Sequence, residues 1–191
     1  GVDFVELYNN SGLTIDLLNL KLANRDDSLK LKAVYEISSL HAHFADKTYL
    51  ALTIDPENIM ENYYAPFAEK VFKADRIPAY NNDKGTVVLL SDSMVVLDEM
   101  VYNENMHSEW LRDPEGVSLE RISFNVESYE VSNWQSASSL VGYATPGYEN
   151  SQNEIVAEQQ PEMLFDWNEV SPNGDNYHDE LVITFALDKS G

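Results

Sequence analysis

Apolar residues recur along this chain in short runs separated by polar turns, the pattern of strands rather than of long helices. Residues 2–8 alternate poorly and are apolar on both faces, as a strand in the middle of a sheet would be. Asn9-Asn10-Ser11-Gly12 is a turn cluster. Residues 13–22 carry Ile15, Leu17, Leu18, Leu20 and Leu22, and the apolar phase slips by one at Leu17-Leu18, which predicts a bulge or bend. A polar turn follows at 24–28. Leu29, Leu31 and Ala33 then alternate with Lys30, Lys32 and Val34, which reads as a half-exposed strand. Residues 49–54 form a buried strand and 71–74 a short one, and 80–85 form a loop. Residues 86–90 and 94–102 make a hairpin around Ser91-Asp92-Ser93. Residues 116–123 are a further strand. Val117 and Leu119 share one parity and Ile122 has the other, so a bulge is predicted near Glu120-Arg121.

One α-helix interrupts this pattern. Asp55 is placed to accept an amide of the first turn, Pro56 suits the first helical position, and Glu57 favours the positive helix end. The spacing predicts a helix from there to about Tyr64, before Pro66. Residues 107–111 read as a single helical turn. Residues 151–161 are polar without a core pattern and read as a linker. Beyond it, residues 163–170 and 180–187 read as two strands around a loop at 171–179. Two strands cannot bury a core alone, so residues 162–191 read as the truncated start of a second domain. Eleven Tyr, seven Phe and three Trp strengthen the strand assignment. The expected class is all-β.

Charge narrows the partners. Thirty-three acidic residues against 12 basic give a formal net charge of −21. Such a surface repels nucleic-acid backbones and anionic membranes. It favours solubility, cationic partners or Ca²⁺. There is no cysteine, which excludes disulfides, thiol catalysis and Cys-ligated zinc. No apolar run approaches the roughly 20 residues of a membrane-spanning helix.

Several segments resemble one family. Asp3-Phe4-Val5-Glu6-Leu7-Tyr8-Asn9-Asn10, the strand at 14–22, Gly116-Val117-Ser118-Leu119-Glu120-Arg121, Asn133-Trp134 and Thr145-Pro146-Gly147-Tyr148-Glu149-Asn150 together resemble the lamin tail domain over residues 1–150. The resemblance implies an immunoglobulin-like β-sandwich and a structural or interaction role. Its motifs are fold-forming: Gly147 supplies a turn conformation prepared by Pro146, and Trp134 is a core or rim aromatic. The family's earlier strand has no counterpart here, which implies an exposed pairing edge. The strands at 163–187 are candidates to fill it, in their own chain or a neighbour, by strand exchange. Ser171-Pro172-Asn173-Gly174-Asp175-Asn176-Tyr177-His178-Asp179 resembles the opening of the immunoglobulin-like modules at the C-termini of bacterial surface and gliding-type proteins. That implies an exported, multidomain bacterial parent that is periplasmic, outer-membrane-associated or extracellular.

Candidate chemistry is sparse. Asn173, Asp175, Asp179 and Glu180 set oxygen ligands at short intervals in a turn, either a Ca²⁺ site or a loop whose carboxylates cap backbone amides. His41 and His43 would share a face of an extended segment and suit zinc, against a reading as surface histidines. His107 and His178 stand alone. Tyr63, Tyr64, Phe67 and Tyr80 either form a contact surface or seal the helix onto the sheets. No phosphate loop, nucleophile elbow or His-Glu-x-x-His motif occurs. The expectation is a non-catalytic interaction or structural module of an exported bacterial surface protein, tethering neighbouring domains or binding protein or glycan. The alternative is an accessory domain of a secreted metal-dependent hydrolase, a phosphatase or nuclease.

Overall fold

A computed structural model describes residues 2–153 together with the backbone of residues 164–165 and 183–184. Among these, the chain is mostly strand in several sheets, with one short α-helix, and no sheet closes into a barrel. The strands are β1 (Phe4–Tyr8), β2 (Ile15–Asp16), β3 (Leu20–Arg25), β4 (Leu31–Glu36), β5 (His43–Phe44), β6 (Tyr49–Thr53), β7 (Val71–Lys73), β8 (Lys84–Ser91), β9 (Val96–Asn103), β10 (Leu119–Arg121), β11 (Trp134–Ser136), β12 (Leu164–Phe165) and β13 (Ile183–Thr184). The helix α1 spans Pro56–Asn62. The chain divides into two units, Gly1–Glu154 and Ile155–Gly191. In the second, β12 pairs antiparallel with β13, within the expected strands at 163–170 and 180–187. The loop at 171–179, with its candidate ligands Asn173, Asp175, Asp179 and Glu180, lies outside the described residues, as does most of the expected linker.

In the first unit, β4-β3-β8-β9 form an antiparallel sheet. A second sheet has the order β1-β6-β7, with β1 antiparallel and β7 parallel to β6. The parallel pair needs a crossover, and α1 provides it. Asp55 Oδ1 accepts the Asn58 amide at 3.2 Å, Pro56 occupies the first turn, and Ile59 is fully buried. The helix stops at Asn62, because Tyr63 is extended. Leu20 and Leu22 of β3, Leu50 and Leu52 of β6, and Leu17, Ile37 and Phe44 form one core cluster shared by the two larger sheets.

The local expectations fare differently. Of the bulge or bend expected at Leu17-Leu18, the structure has the bend, a 3-10 turn at Leu17–Asn19; Asp16 Oδ1 accepts the Leu18 amide at 3.2 Å, and the turn lets Leu17 re-enter the core. A bulge does occur in β4, where Ala33 and Val34 face the single residue Ala23 between the pairs Leu22↔Tyr35 and Asn24↔Lys32. That extra residue switches the phase, so Leu31 and Val34 pack on Ala23, Val88 and Leu90 while Leu29 is left exposed in the preceding turn. The predicted bulge at Glu120-Arg121 is absent: β10 and β11 pair in continuous register, and the buried side chain of that strand is Glu120 itself. The helical turn expected at 107–111 is a single hydrogen-bonded turn, with the Leu111 amide donating to the Ser108 carbonyl at 3.0 Å, and a 3-10 turn that was not expected precedes it at Glu104–Met106, where Met106 is buried. Finally, among the described residues β1 is not central but an edge strand. It is apolar on both faces because each face is covered: Val5 and Leu7 pack on the core, whereas Phe4, Glu6 and Tyr8 meet other side chains and loops.

The covering segment at 144–150 turns at Gly147, whose φ is +81°. A Cβ there would lie 2.9 Å from Lys70 Cβ and 3.2 Å from the Lys70 carbonyl oxygen. Gly12 has a similar φ of +76° with open space around it. Gly147→Ala is therefore expected to lower stability by about 2–3 kcal/mol, and Gly12→Ala by about 1 kcal/mol, the backbone term alone. Urea denaturation of both variants checks this; equal losses would show that the approach to Lys70 costs nothing.

Candidate functional site

β1 bonds only to β6 and β9 only to β8, so each leaves one edge unpaired within the described residues. Both free edges line the same cavity, of about 560 Å³. Every residue of β1, Phe4 to Tyr8, lines it, and so do the consecutive residues Leu97 to Met100 of β9. Successive strand residues point to opposite faces. A cavity that touches all of them runs along the strand edge rather than over one face. It is a slot between two strands.

The slot has three walls. On the core side, Val5, Leu7, Leu20, Phe44, Val87 and Leu89 make it apolar. β9 forms the second wall, with Leu97 53% exposed. The third wall is Ser118–Arg121, Phe124 and Trp134. It is fixed in several ways. Phe124 stacks on Tyr8 with ring centroids 4.0 Å apart, and Trp134 Nε1 donates to the Ser128 carbonyl at 2.8 Å. Glu120 accepts from Thr145 Oγ1 at 2.6 Å, Ser151 Oγ at 2.7 Å and the Gln152 amide at 3.1 Å.

Acids dominate its charge. Glu99 pairs with Arg25 through two contacts of 2.8 and 2.7 Å, and Asp98 lies 3.4 Å from Arg121 Nη1. Glu6 and Glu120 have no basic partner among the described residues. Glu6 Oε2 accepts the Gly147 amide at 2.7 Å. Burial pushes the Glu6 carboxyl well above the usual carboxylate range; the Gly147 amide opposes this, and the neighbouring Glu120 adds to it. Burial also raises the Tyr8 and Tyr49 hydroxyls, helped by the nearby Glu149. Among the described residues the slot thus presents unpaired backbone, apolar surface and two acidic side chains without a basic partner.

The structure brings only two of the four candidate contact aromatics together. Tyr63 and Tyr64 line a shallow cup with Tyr148, Leu140 and Val141, and Tyr64 meets Tyr148 edge-on at 5.9 Å. Tyr63 is half-buried; its hydroxyl donates to the Gly116 carbonyl at 3.1 Å and its ring meets Phe4. Phe67 and Tyr80 do not line that cup: Phe67 lies under the Lys70 ammonium at 4.6 Å, and Tyr80 is half-buried with its hydroxyl unpartnered. His41 Nδ1 sits 2.6 Å from Asp16 Oδ2, which pulls Asp16 down to about 2. His43 is exposed on β5. No group of three or more metal-ligating side chains assembles among the described residues. His107 Nδ1 lies 3.0 Å from Ser136 Oγ, and burial lowers its pKa. No helix of the described residues is long and apolar enough to cross a membrane.

Sequence reasoning missed Glu6 and Glu120 as site residues. One signal was present: an acid in the middle of a strand apolar on both faces must be covered by something. Comparison of the chain with protein-family models, with curated proteins and with solved structures returns no match.

Because Glu6 holds its proton more tightly folded than unfolded, the folded state binds more protons once pH passes the ordinary glutamate range. Stability should therefore fall as pH rises from about 4.3 through the raised pKa of Glu6. Glu6→Gln keeps an acceptor for the Gly147 amide and removes the charge. It is expected to be more stable than the parent at pH 7, with a flatter stability–pH curve. Denaturation midpoints from pH 4 to 8 check it; parallel curves for the two proteins would overturn it.

Proposed function

We propose that this chain is a non-catalytic interaction module, an immunoglobulin-like β-sandwich of an exported bacterial surface protein, which holds an extended segment of a partner polypeptide by strand addition. One observation carries this: a single apolar-floored cavity is lined by every residue of β1 and by Leu97 to Met100 of β9, two strands that each have one edge unpaired among the described residues. Strand addition uses these two features together. The unpaired edge supplies main-chain hydrogen bonds, and the alternating side chains of the guest fill apolar positions. A glycan would leave the backbone donors and acceptors of β1 only partly satisfied, so polypeptide is the better fit. The resemblance of residues 1–150 to the lamin tail domain, and of residues 171–179 to surface-protein modules, supplies the setting.

An eight-residue peptide alternating Val and Thr, with blocked ends, is the direct test. It is expected to bind with a dissociation constant on the order of 10⁻⁵ M. Proline at alternate positions removes backbone donors and should weaken binding at least tenfold. Those amides of residues 4–8 that point away from β6 should exchange more slowly in the complex. Binding that ignores proline, or no binding at all, would sink the strand-addition reading.

A further inference from the structure

The charge of the slot restricts what the guest strand carries. In a paired strand, residues directly opposite one another share a face. On β1, Val5 and Leu7 face the core, and Glu6 faces the layer that holds Glu120 and Phe124. A guest strand pairing with β1 therefore sets its residues opposite Val5 and Leu7 into the apolar floor. The residue opposite Glu6 enters the acidic side.

That side lacks a cation. Both oxygens of Glu120 are taken by hydroxyl and amide donors, while Glu6 uses one oxygen on the Gly147 amide. Arg121, the one basic residue lining the slot among the described residues, is turned to Asp98 and to the Ser123 and Val126 carbonyls. Charging an acid in restricted solvent with no counterion is costly, and a cation entering beside Glu6 relieves the cost. A second copy of this chain would bring a net charge of −21 to the slot. Residues 154–191, with nine acids and one lysine, are net acidic and by charge no better suited to supply the cation. A basic partner does.

Resting on the strand-addition reading, we infer that the slot selects a partner segment in which a lysine or arginine lies opposite Glu6, flanked by apolar residues opposite Val5 and Leu7. The stacked rings of Tyr8 and Phe124 border the path of that side chain. Its methylene stem lies along them and its charged head reaches Glu6.

Calorimetry on the full 191-residue chain tests this with four peptides. The parent alternates Val and Thr; two others replace its central Thr by Lys or by Glu, and the fourth replaces a central Val by Lys. Lys at the Thr position should bind at least tenfold tighter than the parent. Glu there, and Lys at the Val position, should bind more weakly than the parent. In Glu6→Gln the preference for Lys over Thr should shrink to below about threefold. Equal gains from Lys at both positions would mean general attraction to an acidic surface and would overturn the inference, leaving strand addition intact. So would a Lys preference unchanged in Glu6→Gln. If the uncharged parent peptide also fails to bind, the strand-addition reading falls, and the selectivity for a basic strand with it. The position dependence is read on the wild-type chain, so the test survives poor folding of the variant.

Discussion

Glu120 is the node on which the site depends. A carboxylate this buried, 4% exposed, is tolerable only when its lone pairs are filled. Thr145, Ser151 and the Gln152 amide fill them. The contacts reach across 25 to 32 residues, so they hold the closing segment against β10 as well as satisfying a charge. β10 and β11 are three residues each, too short to stand alone. Their attachment comes from this node, from Asn133, which brackets the Ser123 backbone, and from the stack of Phe124 on Tyr8. Without them the slot would have two walls instead of three, and the outer face of β1 would be bare.

The two larger sheets share a core on one side of β1 and leave an opening on the other. Soluble proteins usually blunt a free edge with charge, proline or a covering loop. Here β9 carries Asp98 and Glu99 at its edge, each neutralised by an arginine from elsewhere in the fold. The edge is therefore kept apolar and electrically quiet where it meets the slot. β1 carries no such device. Its one acid, Glu6, points to the covered layer and is held by a backbone amide 141 residues away. An edge left unblunted beside an open apolar floor is the arrangement that strand addition needs, and it also carries a risk of indiscriminate pairing. The net charge of −21 opposes that risk between copies of the chain.

Much of the β-rich fold was legible because it rests on local rules. The hairpin of β8 and β9, the cap at Asp55 and the turn at Gly147 each follow from residue types at fixed offsets. What failed was phase. Leu17-Leu18 and Ala33-Val34 both shift the apolar pattern by one, yet one shift is a 3-10 turn and the other a bulge. Sequence shows the shift and not the device that makes it. Glu120 was misread for another reason: its partners are a threonine and a serine far along the chain, and burial of an acid leaves no periodic trace. The slot itself was least legible, because an edge is defined by which strand is missing from one side, and pairing partners are a property of the assembled sheets. The placement of the four candidate aromatics was hidden in the same way. They are close in sequence, but only Tyr63 and Tyr64 share a surface, and the ring that completes it, Tyr148, lies beyond Gly147.

The placement of Glu6 is the feature that folding alone does not explain. Gln would accept the Gly147 amide equally well and would not be penalised by Glu120. A carboxyl retained where burial raises its pKa is a local inconsistency, and such inconsistencies concentrate at functional sites. Charging Glu6 in the slot carries a penalty, and under the inferred selectivity a guest that brings a cation to that position relieves it. A purely apolar strand would gain the same backbone bonds and leave the two acids facing each other. Specificity of this kind works by making the wrong guest retain a cost that the right one removes.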